Sequence, residues 1–368
     1  MKAETKRLGL IVNPFAGLGG AVALKGSDGA AVQAAALAKG AVPRAGEKAA
    51  RALAALREQL GGVEVLAFGG KMGDPSALVV GEPAAPSSGL DTRRAAIALR
   101  DAGVALLLVV GGDGTVRDVL AAVGDSVPIL GVPAGVKMQS AVFATSPRHA
   151  GEVAAAFLGG DGRVRLVARE VMDIDEAALR AGRLGARLYG FAMVPVLEGL
   201  VQNPKAGQGP GEAAALAGLC RAIAAGMAPG RLYVLGPGTT KQQILEALGL
   251  EGTLLGVDAV LDGKLVGRDL DATALEALVE ARPATLVVAV MGGHGCLFGR
   301  GNQQIAPSVI ARVGRENILV VASLAKLAAL GPAGLFVDTG DPAVDAMLDG
   351  FIKVRTGPAT TVMMRVRG

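Results

Sequence analysis

Residues Val104–Val110 read Val-Ala-Leu-Leu-Leu-Val-Val and run straight into Gly111-Gly112-Asp113-Gly114-Thr115. An unbroken aliphatic run of this length is typical of a parallel strand buried on both faces. After it, Val116, Val119, Leu120 and Val123 take the i, i+3, i+4, i+7 spacing of one helical stripe. Between strand and helix the chain carries almost no side chains, so its backbone can approach a polyanion closely. Free amides at a helix start can hold phosphate. A lone carboxylate in such a loop is unfavourable beside phosphate unless it handles a proton or a metal ion. The combination points to phosphoryl transfer.

The same alternation runs through the first half. Leu8–Val12 is a short strand, a helix lies near Arg44–Leu60, Val63–Phe68 is a strand, and Thr92–Ala102 is a helix stopped by Gly103. Val127–Val132 is a further strand. Strands alternating with helices predict an α/β fold with a doubly wound, Rossmann-like parallel sheet in the N-terminal half. The first domain closes near Gly162, giving residues 1–162 and a second, mixed α/β domain over 163–368.

In that second part, Val164–Ile174 and Arg187–Val194 read as a short antiparallel section, and Gly199–Gly211 as a glycine-rich loop. Glu212–Met227 reads as a helix. Strands are expected at Arg231–Leu235, Thr253–Val260, Thr285–Met291 and Ile318–Ala322, with helices around Ala272–Ala281 and Ala343–Leu348. The tail from Phe351 to Val366 reads as two strands, which could return to the first domain. A second strand–glycine loop–helix device lies around Gly238, so the two loops could face each other across an interdomain cleft holding the active site.

Composition bounds the function. Net charge is +4, with Lys and Arg scattered, and there are 8 Phe, 2 Tyr and no Trp, so stacking on bases is not the expected binding mode and no nucleic-acid partner is expected. Cys220 and Cys296 have no metal-ligand spacing and cannot build a disulfide framework, which fits the cytoplasm. No apolar stretch approaches the roughly 20 residues of a membrane helix, and the N-terminus lacks a signal-peptide apolar region.

Stronger nucleotide signatures are missing: there is no GxxxxGK[ST] loop, no GxGxxG at a strand-to-helix turn and no GxSxG elbow. His149 and His294 are the only histidines, which rules out a zinc site on paired histidines. Asp113 is then the prime catalytic candidate, the alternative being a turn aspartate that caps its helix. Asn13 ends the first strand, where open α/β sheets place ligand contacts; its amide could bond phosphate or close an Asn-Pro turn.

Gly238, Thr239, Thr240 and Lys241 offer a flexible loop, two hydroxyls and a cation at a helix start, suited to phosphate or to a plain cap. Lys137 and Ser140 follow a strand end and could line the same cleft, Lys137 being equally suited to a solvated surface. Asn302 and Gln303 sit among glycines, equally suited to ligand contact or loop self-bonding. Asp338 and Asp341 could hold a metal ion, although Asp341-Pro342 is also a helix-start signal. His294 in Gly-Gly-His-Gly reads more as a loop residue than as a base.

Gly111–Thr115 on its strand, with Asn13-Pro14-x-Ala16-Gly17 on the first, resembles the NAD kinase and diacylglycerol-kinase-like superfamily. Gly131–Ala141, Leu235–Thr240 and Leu297–Gln304 are similar to the ATP-NAD kinase-like branch that includes the acetoin-catabolism X proteins. The likeness spans roughly Leu8 to Asp345. It implies transfer of a phosphoryl group from ATP, or polyphosphate, to the 2′-hydroxyl of NAD or a related nucleoside-bearing metabolite, with Mg²⁺. Asp113 would then be the base, and Gly111, Gly112, Gly114 and Thr115 would wrap the phosphates. Alternatives are a non-catalytic nucleotide sensor linked to small-molecule catabolism, or a kinase of another small alcohol. A homo-oligomer, a dimer, is expected. One departure is visible: Val136-Lys-Met-Gln-Ser140 lacks the Asn-Glu or Asn-Asp pair with which standard members grip the dinucleotide.

Overall fold

The computed structural model describes residues 6–24, 26–27, 29–136, 138–174, 186–201, 210–291, 295–330 and 334–368. Its first elements are β1 (Arg7–Val12), α1 (Ala30–Ala38), α2 (Ala45–Gln59), β2 (Glu64–Phe68), β3 (Leu78–Gly81), α3 (Gly89–Asp101), β4 (Leu106–Gly111), α4 (Asp113–Val123), β5 (Ile129–Pro133), α5 (Pro147–Gly159), β6 (Arg165–Ile174) and β7 (Ala186–Val196). Then come α6 (Pro210–Ala225), β8 (Leu232–Leu235), α7 (Thr239–Ala247), β9 (Asp258–Leu261), β10 (Lys264–Gly267), α8 (Ala272–Glu280), β11 (Ala284–Ala289), β12 (Cys296–Phe298), α9 (Pro307–Val313), β13 (Ile318–Val321), α10 (Leu324–Ala329), β14 (Leu335–Val337), α11 (Pro342–Leu348), β15 (Gly350–Arg355) and β16 (Thr361–Arg367). The chain divides into two compact units, residues 1–18 with 42–202, and 19–41 with 203–368.

The first unit is a five-stranded parallel sheet in the order β3-β2-β1-β4-β5. Every residue of β4 is buried, as its aliphatic run demands. Helices α2 and α5 pack on each other, as do α3 and α4. From β1 the chain builds outward to β2 and β3, then returns to the other side of β1 for β4 and β5. The order therefore reverses between β1 and β4, and the crevice at their carboxyl ends is where open α/β sheets bind ligands. The antiparallel pair β6–β7 belongs to this unit, with β6 against α4 and β7 against β5.

Helix α5 did not stand out from its hydrophobic spacing, yet its boundaries are written in the chain. Ser146 caps it by accepting from the His149 amide, Pro147 occupies its first turn, and Gly160 closes it in the left-handed region.

The second unit holds a nine-stranded mixed sheet in the order β10-β9-β8-β11-β13-β15-β16-β14-β12. One face is covered by α8, α9 and α11, through Leu275, Val279, Val309, Ile310, Val344 and Leu348. On the other face α6 and α7 cover β8, β9, β11 and β13, through Leu216, Leu219, Ile223, Ile244 and Leu245. The tail builds this sheet: β15 pairs with β13 and β16 with β14. The strand expected from Thr253 begins only at Asp258, because the Thr253 amide and hydroxyl turn in to hold the Asp258 carboxylate (2.8 Å each). Among the described residues no helix is long and apolar enough to cross a membrane.

Candidate active site

The glycine-rich turn sits where β4 ends and α4 begins, at the strand-order reversal of the first unit. Gly111 closes β4, Gly112 is the N-cap of α4, and Asp113 is its first residue. Asp113 does not cap its own helix. Its carboxylate reaches across to the segment after β5, accepting from the amides of Gln139 (2.6 Å) and Ser140 (3.0 Å). Only 4 % of Asp113 is exposed. Burial pushes its carboxyl up to about 6, against the pull of the Ser140 and Gln139 donors, and the nearby Asp173 charge adds to the rise. A carboxyl with that affinity exchanges a proton near neutral pH.

Several candidates are spent on building this turn. Asn13 follows β1 and donates from Nδ2 to Thr115 Oγ1 (3.0 Å), while its Oδ1 accepts from the Phe15 amide (3.1 Å). The Asn13 amide expected at a phosphate therefore ties the end of β1 to the helix start. Thr115 is buried at 6 % exposure against Gly111, where an added Cβ would stand 2.5 Å from the Thr115 Cβ. Glycine at 111 is required by its threonine neighbour. At Gly17 the backbone has φ +77°, and an added Cβ would stand 2.3 Å from the Ala134 carbonyl oxygen. This packs the loop after β1 against the segment after β5.

Ser140 also differs from the expectation of a ligand contact. It is wholly buried, and its hydroxyl donates to the Met172 carbonyl (2.8 Å) and accepts from the Met172 amide (2.9 Å). The hydroxyl fastens the segment to β6, and the Ser140 amide in turn aims the Asp113 carboxylate. Lys137 lies outside the described residues, as does His294. Sequence reasoning passed over the ion pair from Arg117 on α4 to Asp173 on β6 (2.6 Å), which brings the second carboxylate near Asp113. The available signal was position: Arg117 follows Asp113 by four residues, one turn along the same helix face.

In the second unit, Gly238 is the N-cap of α7, and no side chain caps that helix. Neither Thr239 nor Thr240 fills that role; Thr239 is exposed and Thr240 half-buried. Lys241 is not available to phosphate. It is 2 % exposed, and its Nζ donates to Asp258 Oδ2 (2.7 Å), Thr253 Oγ1 (3.1 Å) and the Gly256 carbonyl (2.9 Å). Burial alone would raise the Asp258 carboxyl, but Lys241 and the Asp269 and Thr253 amides hold it below its ordinary value. A charge pointing inward from a helix start is invisible to spacing, because its partner comes 17 residues later.

Asn302 is 2 % exposed, and its Nδ2 donates to the Leu297 carbonyl (2.7 Å). Loop self-bonding thus accounts for its amide nitrogen. Gln303 packs against Gly20 of the same unit. Asp341 caps α11, accepting from the amides of Ala343 (2.9 Å) and Val344 (3.3 Å). Asp338 is buried at 2 % exposure close to the Arg300 guanidinium, whose charge it favours. The two do not form a metal cage, and among the described residues no group of three or more His, Cys, Asp or Glu could hold a metal ion. His149 contacts Thr145 Oγ1 through Nδ1 (2.6 Å).

The model of the ATP-NAD kinase N-terminal domain matches residues 8–161, and that of the ATP-NAD kinase C-terminal domain matches residues 229–366. The chain belongs to the ATP-NAD kinase family. Family membership makes it a nucleotide-binding kinase, a phosphotransferase. No curated protein and no solved structure gives a significant match to this kinase. The N-terminal match runs from β1 to just beyond α5, so it contains the Asp113 turn and the segment that holds its carboxylate.

Proposed function

We propose that this kinase transfers the terminal phosphoryl group of ATP to the 2′-hydroxyl of NAD, or of a related nucleoside-bearing metabolite, with Asp113 as the base. The observation that carries this reading is the Asp113 carboxylate itself. It lies at the strand-order reversal, free of capping duty, held by two backbone amides and raised to about 6. In the reaction the acceptor O–H bond breaks and its proton passes to Asp113. The acceptor oxygen bonds the terminal phosphorus as the bond to the bridging oxygen breaks, and ADP leaves. Phosphoryl transfer asks the protein mainly for positioning and charge neutralisation.

The amides of Gly112, Gly114 and Thr115 at the start of α4 would face the phosphates, where the helix end favours negative charge. Mg²⁺ commonly keeps most of its waters and binds through one or two carboxylates plus substrate phosphates. With Asp113 kept for the proton, the Asp173 carboxylate nearby would be the protein ligand in that sparse demand, and the ion would neutralise charge developing on the phosphates. The blocks similar to the acetoin-catabolism X proteins support that branch, and two buried cysteines that form no disulfide are in keeping with the cytoplasm.

The segment after β5 favours a second acceptor reading. The Gln139 and Ser140 amides and the Ser140 hydroxyl are engaged inside the protein, and no Asn-Glu pair stands there to grip a dinucleotide. A different small alcohol would then take the phosphoryl group. The test is a screen of acceptors with ATP or polyphosphate and Mg²⁺, read out by product mass, on the native chain and Asp113→Asn. NADP formation supports the first reading, and phosphorylation of another alcohol alone supports the second. Binding of ATP with no product from any acceptor would leave a nucleotide sensor.

A further inference from the structure

Among the described residues, helices cover much of both faces of the nine-stranded sheet of the second unit, and β15 and β16 form an open strip in its middle. Strand register fixes which side chains share a face: Val321 pairs with Arg355, Lys353 with Met363, and Phe351 with Arg365. These residues lie on the same face as Tyr233, Leu235 and Val287, which α6 and α7 cover. Beyond β16, Phe336 of β14 lies on this face too, and the buried Arg300 guanidinium stacks on its ring, 4.9 Å from the centroid. Among the described residues, cover thus exists on both sides of β15 and β16 but not over them. Phe351 is 63 % exposed and Met363 is 52 % exposed, in the middle of a sheet, where such residues are ordinarily buried.

The charge on the strip has one sign. Lys353, Arg365 and Arg367 are exposed there and Arg355 is half-buried, while neither strand carries an acidic residue. None of these four cations is in an ion pair among the described residues. Strands about 4.8 Å apart make the open strip about 10 Å wide, and a helix with its side chains measures about 10–12 Å across. The neighbouring stretch of the same face is already covered by helix α6.

We infer that the β15–β16 strip is a docking surface for an amphipathic helix of a partner protein, with an apolar stripe that covers Phe351 and Met363 and acidic flanks that meet Lys353, Arg365 and Arg367. The other occupants fit less well. A second copy of this strip would set cations against cations. Polyphosphate has no apolar surface to cover Phe351 and Met363. Single-stranded nucleic acid stacks on successive aromatic rings, and these two strands hold one.

The test uses the full chain and a synthetic helical peptide of about 18 residues, with Leu at i, i+3, i+4 and i+7 and Glu on the flanks. A control peptide of the same composition has its order scrambled. Calorimetry should give one peptide per chain, with affinity that falls as salt rises. Phe351→Ser and Arg365→Glu should each weaken binding about tenfold, while basal phosphoryl transfer stays unchanged. Amide exchange should slow in β15 and β16 when the striped peptide is added.

Equal binding of the scrambled peptide, or no binding up to about 1 mM, would overturn the proposal. So would polyphosphate or an oligothymidylate that slows exchange in the same strands where the striped peptide does not. A dimer of the free chain that Phe351→Ser dissociates would likewise replace the helix with a second copy.

Discussion

Asp113→Asn separates the cost of holding a charge from the cost of losing a bond. Burial raises the Asp113 carboxyl from 3.8 to about 6. A carboxyl that binds its proton more tightly in the folded chain makes the fold take up protons between those two values. Stability must therefore fall as pH rises through that window. At about 1.4 kcal/mol per pKa unit, the native chain loses about 2–3 kcal/mol from this group between pH 4 and pH 7. Asparagine cannot ionise, so the variant lacks that slope. It carries a different penalty: one carbonyl oxygen replaces two carboxylate oxygens, and its NH₂ faces one of the Gln139 and Ser140 amides. That mismatch costs about 1–3 kcal/mol and is the same at every pH.

The stability gap between the two proteins should therefore move by about 2–3 kcal/mol toward the variant from pH 4 to pH 7, whatever its starting value. Two compact units need not unfold together, so the gap is best read from slowly exchanging amides of β4, beside the native and variant side chains. Turnover at pH 7 should fall by about 10²–10⁴. A gap that stays level with pH would show that Asp113 does not carry a raised proton affinity, and the argument for it as the base would fail.

Lys241→Met strands the buried Asp258 carboxylate and should destabilise the second unit by about 3–5 kcal/mol in urea titration, with no change in ATP affinity; a stable variant that binds ATP weakly would return Lys241 to the phosphate. Ser140→Ala removes the clasp to β6 and should lower kcat at least as much as it raises KM, shifting the acidic limb of the pH profile while the chain stays folded. An unchanged profile would make Ser140 structural only. Gly111→Ala drives a methyl group into Thr115 and should cost about 1–3 kcal/mol, measured as a lower urea midpoint, whereas Gly159→Ala, with open space around it, should cost far less.

What could be seen in advance divides along a physical line. The parallel sheet was legible because β1, β4 and β5 are buried on both faces, which forces continuous aliphatic runs. The turn at Asp113 was legible as a turn because an aliphatic run ends there in glycines and a helical stripe follows. The fates of Asn13, Ser140 and Lys241 were not, since each depends on a partner brought in by folding: Thr115, Met172 and Asp258. Local spacing says that a polar side chain stands at a strand end or helix start; it does not say whether that side chain faces a ligand or its own fold. Short elements such as β12, β14 and α10 escaped for the related reason that three to six residues hold too little periodicity to register.

Residues 19–41 belong with the second unit although they lie between the first two strands of the first. Within that unit the Ala272 amide donates to the Ala21 carbonyl (3.0 Å), and Gly20 packs on Gln303. Neither half can then be cut out cleanly. A fragment beginning at 203 would lack the 19–41 strap, and one ending at 202 would carry that strap with nothing to fasten it to. During synthesis the strap must wait for Ala272 and Gln303, so a chain that terminates after residue 202 but before residue 272 carries a complete first unit and a strap with neither partner.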